Sequence, residues 1–196
     1  MKFDIDKFWG CEIIIKNNQL EINYNLGMIL IGLGNPGKKY ENNRHNVGHI
    51  FINFINQKLN IKNQNRIAKF KIFKTNCFMN ESGKEVAKIL KTLHVTSYKL
   101  QEVFIVHDDL DIPLGKFRID FGKGPRLHKG IKSIEEILQT KNFWRIRIGI
   151  DNRQKTGFID GETYVLQDFL PKEKEILEKE VFGKIITTKI QPLIRS

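Results

Sequence analysis

Contiguous apolar runs alternate along this chain with segments whose apolar residues recur every three to four positions. Met28-Ile29-Leu30-Ile31 and Glu102-Val103-Phe104-Ile105-Val106 read as buried strands. Between them, Val47, Ile50, Phe51, Phe54, Ile55 and Leu59 mark one face of a helix. Residues 66–74 alternate as a half-buried strand, and Val86, Ile89, Leu90 and Leu93 supply a second helix. Ser82-Gly83-Lys84-Glu85 predicts a capping box at the start of that helix. Ile131, Ile134, Ile137 and Leu138 mark a third helix, and Trp144 to Ile150 alternates isoleucine with Arg145 and Arg147. Pro171 opens a last helix carrying Ile176, Leu177, Val181, Phe182, Ile185 and Ile186. Strands alternating with helices give an α/β sandwich. Residues 11–24 form a predicted hairpin around Asn17-Asn18.

A length of 196 residues fits one domain with a terminal extension, and 14 Phe supply bulk for its core. No apolar run approaches the roughly 20 residues of a membrane-spanning helix, and Met1 to Asp6 lacks a secretory pattern. Cys11 and Cys77 are far apart and lack metal-ligand spacing, which fits a reducing cytoplasm. The net charge of +11 points to a polyanionic partner, nucleic acid first, although Lys-, Asn- and Ile-rich composition also follows from AT-rich coding.

Several motifs carry chemistry. Gly32-Leu33-Gly34-Asn35-Pro36-Gly37 has the form of a dinucleotide fingerprint, but no helix opens directly after it and Asn56-Gln57-Lys58 stands where the acidic residue should be. A strand-ending Gly/Pro turn describes it better. His45 and His49 stand four apart without the glutamate of a zinc protease, and His49 reads as a packing histidine. His45 lies in a polar stretch just before the first helix, where a neutral imidazole can act as general base. His107-Asp108-Asp109-Leu110-Asp111 clusters three carboxylates at a strand end; the spacing suits Mg²⁺ binding, imidazole orientation or a solvated turn. Asn80 precedes the second helix and offers an amide donor and acceptor. Arg118, Lys123, Arg126, Lys129, Lys132, Arg145 and Arg147 concentrate positive charge after the Asp cluster, to grip phosphates or solvate a face.

Taken together, GLGNPG with Tyr40, Arg44-His45-Asn46, Phe78-Met79-Asn80, His107-Asp108-Asp109-Leu110-Asp111 and Arg145-Ile146-Arg147-Ile148-Gly149 closely resemble the bacterial peptidyl-tRNA hydrolase family, in its order, over residues 28–186. The resemblance implies a single-domain α/β/α sandwich with a mixed, mostly parallel central sheet. It also implies a monomeric, cytoplasmic, cofactor- and metal-independent carboxylic ester hydrolase that frees tRNA from a peptide. On this basis His45 is the base that activates water, Asp108 holds it in the basic form, and Asn35 senses acylation of the amino group. Tyr40, Phe78 and Asn80 meet the tRNA 3′ end or the peptide, and Arg118, Lys132, Arg145 and Arg147 meet acceptor-stem phosphates.

Two departures from the family pattern stand out. Arg126-Leu127-His128-Lys129-Gly130 replaces the usual Gly-Gly-His-Asn-Gly, which puts Lys129 at a substrate-contacting Asn position and stiffens a mobile gate. These changes keep open the alternative of a catalytically impaired RNA-binding relative. Residues 1–27 lie outside the resemblance, as upstream sequence or an added hairpin, leaving 28–196 as the hydrolase-like domain.

Overall fold

The computed structural model describes residues 12–16, 19–23, 28–58, 70–95, 97–153 and 159–190. A five-stranded sheet is built from β3 (Ile29–Gly32), β4 (Lys71–Lys74), β5 (Val103–Pro113), β6 (Phe117–Phe121) and β7 (Trp144–Asp151), in spatial order β4-β3-β5-β7-β6. β4, β3, β5 and β7 run parallel, with Leu30 opposite Ile72 and Phe104, and Val106 opposite Ile146. β6 closes one edge antiparallel to β7. The sheet is therefore mixed and mostly parallel, as the resemblance implies. The predicted hairpin is present as β1 (Glu12–Lys16) and β2 (Gln19–Asn23), a separate antiparallel pair with Ile14 opposite Glu21. Its turn at 17–18 lies outside the described residues, as do residues 66–69 of the strand predicted over 66–74.

Alternation along the strands divides the core in two. Leu30, Val106, Ile146 and Ile148 point to one face, where they meet Val47, Phe51, Ile52 and Ile55 of α1 (Val47–Lys58) and Leu177, Val181, Phe182 and Ile185 of the C-terminal helix. Ile29, Ile31, Val103 and Ile105 point to the other, against Val86, Ile89 and Leu90 of α2 (Ser82–Thr92) and Ile131 and Ile134 of α3 (Lys129–Leu138). Period-2 strands and period-3.6 helices thus give three layers.

One close approach fixes the position of the site. A Cβ on Gly32 would lie 2.5 Å from the Gly48 carbonyl oxygen, and one on Gly48 would lie 2.4 Å from that of Val106. Only glycines allow the start of α1 to press against the end of β3 and the first half of β5. The turn before α1, which carries His45, is set there as a result.

Two sequence expectations need correction, and the predicted last helix is present but not uniform. The capping box at Ser82 does not form: Ser82 Oγ donates to the Met79 carbonyl at 2.7 Å, and the Gly83 N–H is satisfied by Ser133 Oγ of α3 at 3.0 Å. A tertiary partner has replaced the local cap. β5 does not stop at Val106 but runs for eleven residues in all, through the acidic stretch to Pro113, because β7 pairs with it as far as Asp109 opposite Gly149 before the register shifts. Its three aspartates therefore do not form one cluster. The last helix is composite, with Pro171–Ile176 and Gly183–Ile185 α-helical and Leu177–Phe182 and Ile186–Ile190 π-helical. Among the described residues, no helix is long and apolar enough to cross a membrane.

Candidate active site

The site is assembled from four segments at the C-terminal end of β3 and the second half of β5. The turn after β3 carries Asn35, a short 3₁₀ turn Arg44–Asn46 carries His45, β5 carries Asp108, and the residue capping α3 is His128. Asn46 locks the first two together. Its Oδ1 accepts the Asn35 N–H at 2.9 Å, and its Nδ2 donates to the Asn35 carbonyl at 2.9 Å. The Asn35 side chain is oriented in turn by the Met79 N–H, which donates to Asn35 Oδ1 at 2.8 Å. With its oxygen taken, Asn35 has its Nδ2 protons to offer.

His45 Nδ1 lies 2.9 Å from Asp108 Oδ1, with both side chains buried. His128 Nε2 lies 2.9 Å from the same oxygen. Burial pushes the Asp108 carboxyl up, but the charges and hydrogen bonds of His45 and His128 outweigh it and hold it well below the usual range. Asp108 is therefore an ionised acceptor, so His45 carries its proton on Nδ1 and keeps a lone pair on Nε2. Burial also depresses His45; the charge and hydrogen bond of Asp108 reverse this and leave it raised above 6.5, with Lys129 opposing.

His128 completes the group, although no sequence motif assigns it a role. Its Nδ1 accepts from the Gly130 and Ile131 N–H groups at 3.1 and 3.2 Å, capping α3. That cap occupies the Nδ1 lone pair and places the proton on Nε2, facing Asp108. A histidine immediately before an amphipathic helix was the available signal, because an N-cap position calls for an acceptor.

The ligand atoms of His45, Asp108 and His128 lie within 4.8 Å of one another, which by count is a possible cation site. Chemistry disfavours it. His128 Nε2 can give a lone pair to a metal only if its proton moves, and the only other ring nitrogen is already accepting two helix N–H groups.

The other aspartates of the stretch face elsewhere. Asp109 accepts from Arg147 Nε at 2.6 Å and from the Asp111 N–H at 2.8 Å. Asp111 accepts the Arg126 N–H at 3.3 Å. His107 is fully buried with its ring edge-on to that of His128 at 4.8 Å between centroids and its Nδ1 2.6 Å from the Asp108 carbonyl oxygen, and burial holds its pKa well below 6.5. His49 packs against Gly34 and approaches Thr75 Oγ1 at 3.3 Å, and burial pushes its pKa down to about 4.

Of the other candidate residues, Tyr40 and the exposed Phe78 meet edge to face at 6.3 Å between centroids. Asn80 is exposed on the turn that also carries Met79, and Lys129 pairs with Glu162 across 3.1 Å at the surface. Arg118 and Lys132 are exposed, with Lys132 3.9 Å from Glu136. Arg145 and Arg147 are not a basic face. Arg145 is fully buried, with Nη2 2.7 Å from Glu135 and its guanidinium over the Phe143 ring. Arg147 is clamped by Asp109 and by Asp120 at 2.7 Å. Both expectations of a phosphate contact fail because neighbouring carboxylates already neutralise these side chains.

The peptidyl-tRNA hydrolase family model matches residues 29–191. The chain belongs to the peptidyl-tRNA hydrolase family. It is 39% identical over 173 residues to the peptidyl-tRNA hydrolase of Prochlorococcus marinus strain MIT 9312, covering 80% of this chain and 84% of that one. It is 34% identical over 160 residues to that of Mycobacterium ulcerans, covering 75% and 81%. The crystal structure of the Acinetobacter baumannii peptidyl-tRNA hydrolase superposes with a TM-score of 0.66 at 24% identity, over 86% of this chain and 89% of that one, so the fold is shared. The family's activity is that of a carboxylic ester hydrolase acting on peptidyl-tRNA.

Within a peptidyl-tRNA hydrolase, the two kinds of arginine have separable effects. Replacing Arg145 with Ala is expected to destabilise the protein by about 3 kcal/mol, since it removes a fully buried side chain packed over Phe143 and leaves a void there, while leaving the salt dependence of tRNA binding unchanged. Arg118→Ala is expected to do the reverse, lowering the salt slope by about one with little change in stability. Urea titration and tRNA binding at several salt concentrations measure the two effects.

Proposed function

We propose that His45 and Asp108 hydrolyse the ester between the peptide and the tRNA 3′ end by activating a water molecule. The buried 2.9 Å contact between Asp108 Oδ1 and His45 Nδ1 carries this reading, because it leaves Nε2 as a base held in a fixed tautomer. His45 Nε2 removes a proton from water as the oxygen attacks the ester carbonyl. The imidazolium that forms is stabilised by ionised Asp108. The tetrahedral intermediate then collapses, the bond to the ribose oxygen breaks, and His45 returns the proton to that oxygen, releasing tRNA and the peptide's carboxylic acid, which gives up its proton to solvent.

Asn35 Nδ2 faces the substrate as a donor to a carbonyl oxygen, a contact that an acylated amino group supplies and a free one lacks. Phe78 and Tyr40 offer aromatic surface to the terminal base or the peptide, and Asn80 offers an amide. Lys129 offers its ammonium at the entrance, and Arg118 and Lys132 offer charge to acceptor-stem phosphates. In this reading the protein acts as a cytoplasmic monomer.

The pH dependence follows from the base. His45 must be neutral to accept a proton, so kcat/KM is expected to rise with pH through a single ionisation above 6.5, the direction in which Asp108 moves it. The same interaction stabilises the fold with the opposite sign. A raised histidine contributes stability below its unfolded pKa, and that stability is lost as pH rises through the folded value. Peptide release from N-acetylaminoacyl-tRNA between pH 5 and 9 on the order of half-unit steps tests the kinetic limb. A profile flat through this range contradicts His45 as the base.

A further inference from the structure

The turn that carries His45 is held from two sides. Asn46 ties one side to Asn35. The other side is tied by Arg44 and its neighbours to the segment leading into the C-terminal helix. The Arg44 N–H donates to the Gln167 carbonyl at 3.0 Å, Arg44 Nη1 donates to the Asp168 carbonyl at 2.9 Å, and Asn43 Nδ2 donates to Asp168 Oδ1 at 2.8 Å. At the centre, Arg44 Nη2 donates to Glu173 Oε2 at 2.7 Å.

Glu173 is unusual for a carboxylate in the first turn of a helix, because it is only 2% exposed. Both of its oxygens are used. Oε2 also accepts the Leu170 N–H at 2.9 Å, and Oε1 accepts from Asn152 Nδ2 at 3.0 Å, just past the end of β7. Arg44 in turn lies over the Tyr164 ring at 4.2 Å, and the Tyr164 hydroxyl donates to the Ile150 carbonyl of β7 at 3.0 Å. One carboxylate thus joins the His45 turn, the end of β7 and the start of the C-terminal helix.

A buried ion pair is a poor source of stability, because desolvating two charges offsets most of their attraction; what it does supply is direction. We propose that Glu173 is a positioning residue for the hydrolysis, acting through Arg44 to set the placement of His45 against Asp108. This inference rests on His45 being the base. The groups facing His45 are Asp108 from β5, and His128 and Lys129 from the start of α3. None of them touches Glu173 in the described contacts, so an effect of Glu173 on His45 must pass through the turn.

The test pairs kinetics with a direct reading of His45. In Glu173→Gln, shown to be folded by circular dichroism at the assay temperature, kcat is expected to fall roughly 10- to 100-fold with KM within about twofold, the size of effect that a displacement on the order of 1 Å produces. The His45 pKa, followed by the NMR signal of its ring Cε1–H and assigned by its loss in His45→Ala, is expected to move down as the Asp108 contact loosens. The double variant Arg44→Met/Glu173→Leu replaces the pair with apolar side chains of similar size. It is expected to regain urea stability but not kcat or the His45 pKa, because packing returns without direction.

Wild-type kcat and an unshifted His45 signal in folded Glu173→Gln would overturn the proposal, as would full recovery of both in the double variant. A moved His45 signal with unchanged kcat would instead overturn His45 as the base while leaving the structural link intact.

Discussion

Replacing His45 with Ala is expected to reduce kcat for N-acetylaminoacyl-tRNA by about 10³-fold or more, with tRNA affinity little changed. The reason is local. Of the two rings that contact the Asp108 carboxylate, His45 alone keeps a ring nitrogen with a free lone pair: His128 spends its Nδ1 lone pair on the cap of α3 and its Nε2 proton on Asp108. His107 is fully buried and burial holds its pKa well below 6.5, which makes it a poor replacement base, so the residual rate should reflect substrate positioning and should lose the ionisation that governs the wild type. The exposed cations Arg118 and Lys132 do not touch His45 in the described contacts, and binding should survive. A His45→Ala protein that keeps more than about a tenth of the wild-type kcat would assign the proton transfer to another group.

Asp108→Asn is expected to cost about 10²- to 10³-fold in kcat, for a reason that the double contact defines. His45 and His128 both donate to the same oxygen of Asp108. Because His128 can only donate there, an asparagine is obliged to turn its carbonyl toward the pair, and His45 keeps its Nδ1–H tautomer. What is lost is the negative charge. The imidazolium formed in the transition state goes unstabilised, and burial is left to act on His45 without its counterweight. The kinetic ionisation should therefore move below its wild-type position even as the plateau rate falls. An Asp108→Asn variant whose rate drops with no downward movement of that ionisation would show that tautomer control, and not charge, is the role of Asp108.

Much of the fold was legible because it depends on periodicity. The parity of Ile29, Leu30 and Ile31 and of Val103 to Val106 decides which face each helix covers, and both helix faces and strand alternation are written locally. What escaped depends on partners distant in the chain. The acidic stretch of β5 has the composition of a turn and becomes a strand only because β7 pairs with it about 40 residues later. Arg145 and Arg147 do alternate, as expected, but Glu135, Asp109 and Asp120 convert them from a phosphate-binding face into buried structural cations. Ser82 lost its cap to Ser133. The residues by themselves mark His45 and Asp108 separately and only the family resemblance pairs them, because their contact spans 63 residues of sequence and depends on the glycine approach of α1 to the sheet. His128 shows in the sequence only its place before α3, and Glu173 nothing of its role, since the contacts of each with the site are hydrogen bonds fixed by the tertiary fold.

Single-turnover cleavage of N-acetylaminoacyl-tRNA by the wild type and by His45→Ala, with both products identified, tests the His45–Asp108 mechanism most directly. The expected result is free N-acetyl amino acid and tRNA with an intact 3′ hydroxyl from the wild type, and neither above background from His45→Ala at matched tRNA occupancy. Ester cleavage by His45→Ala at the wild-type rate, or a wild type that binds the substrate and leaves the ester uncut, would contradict it.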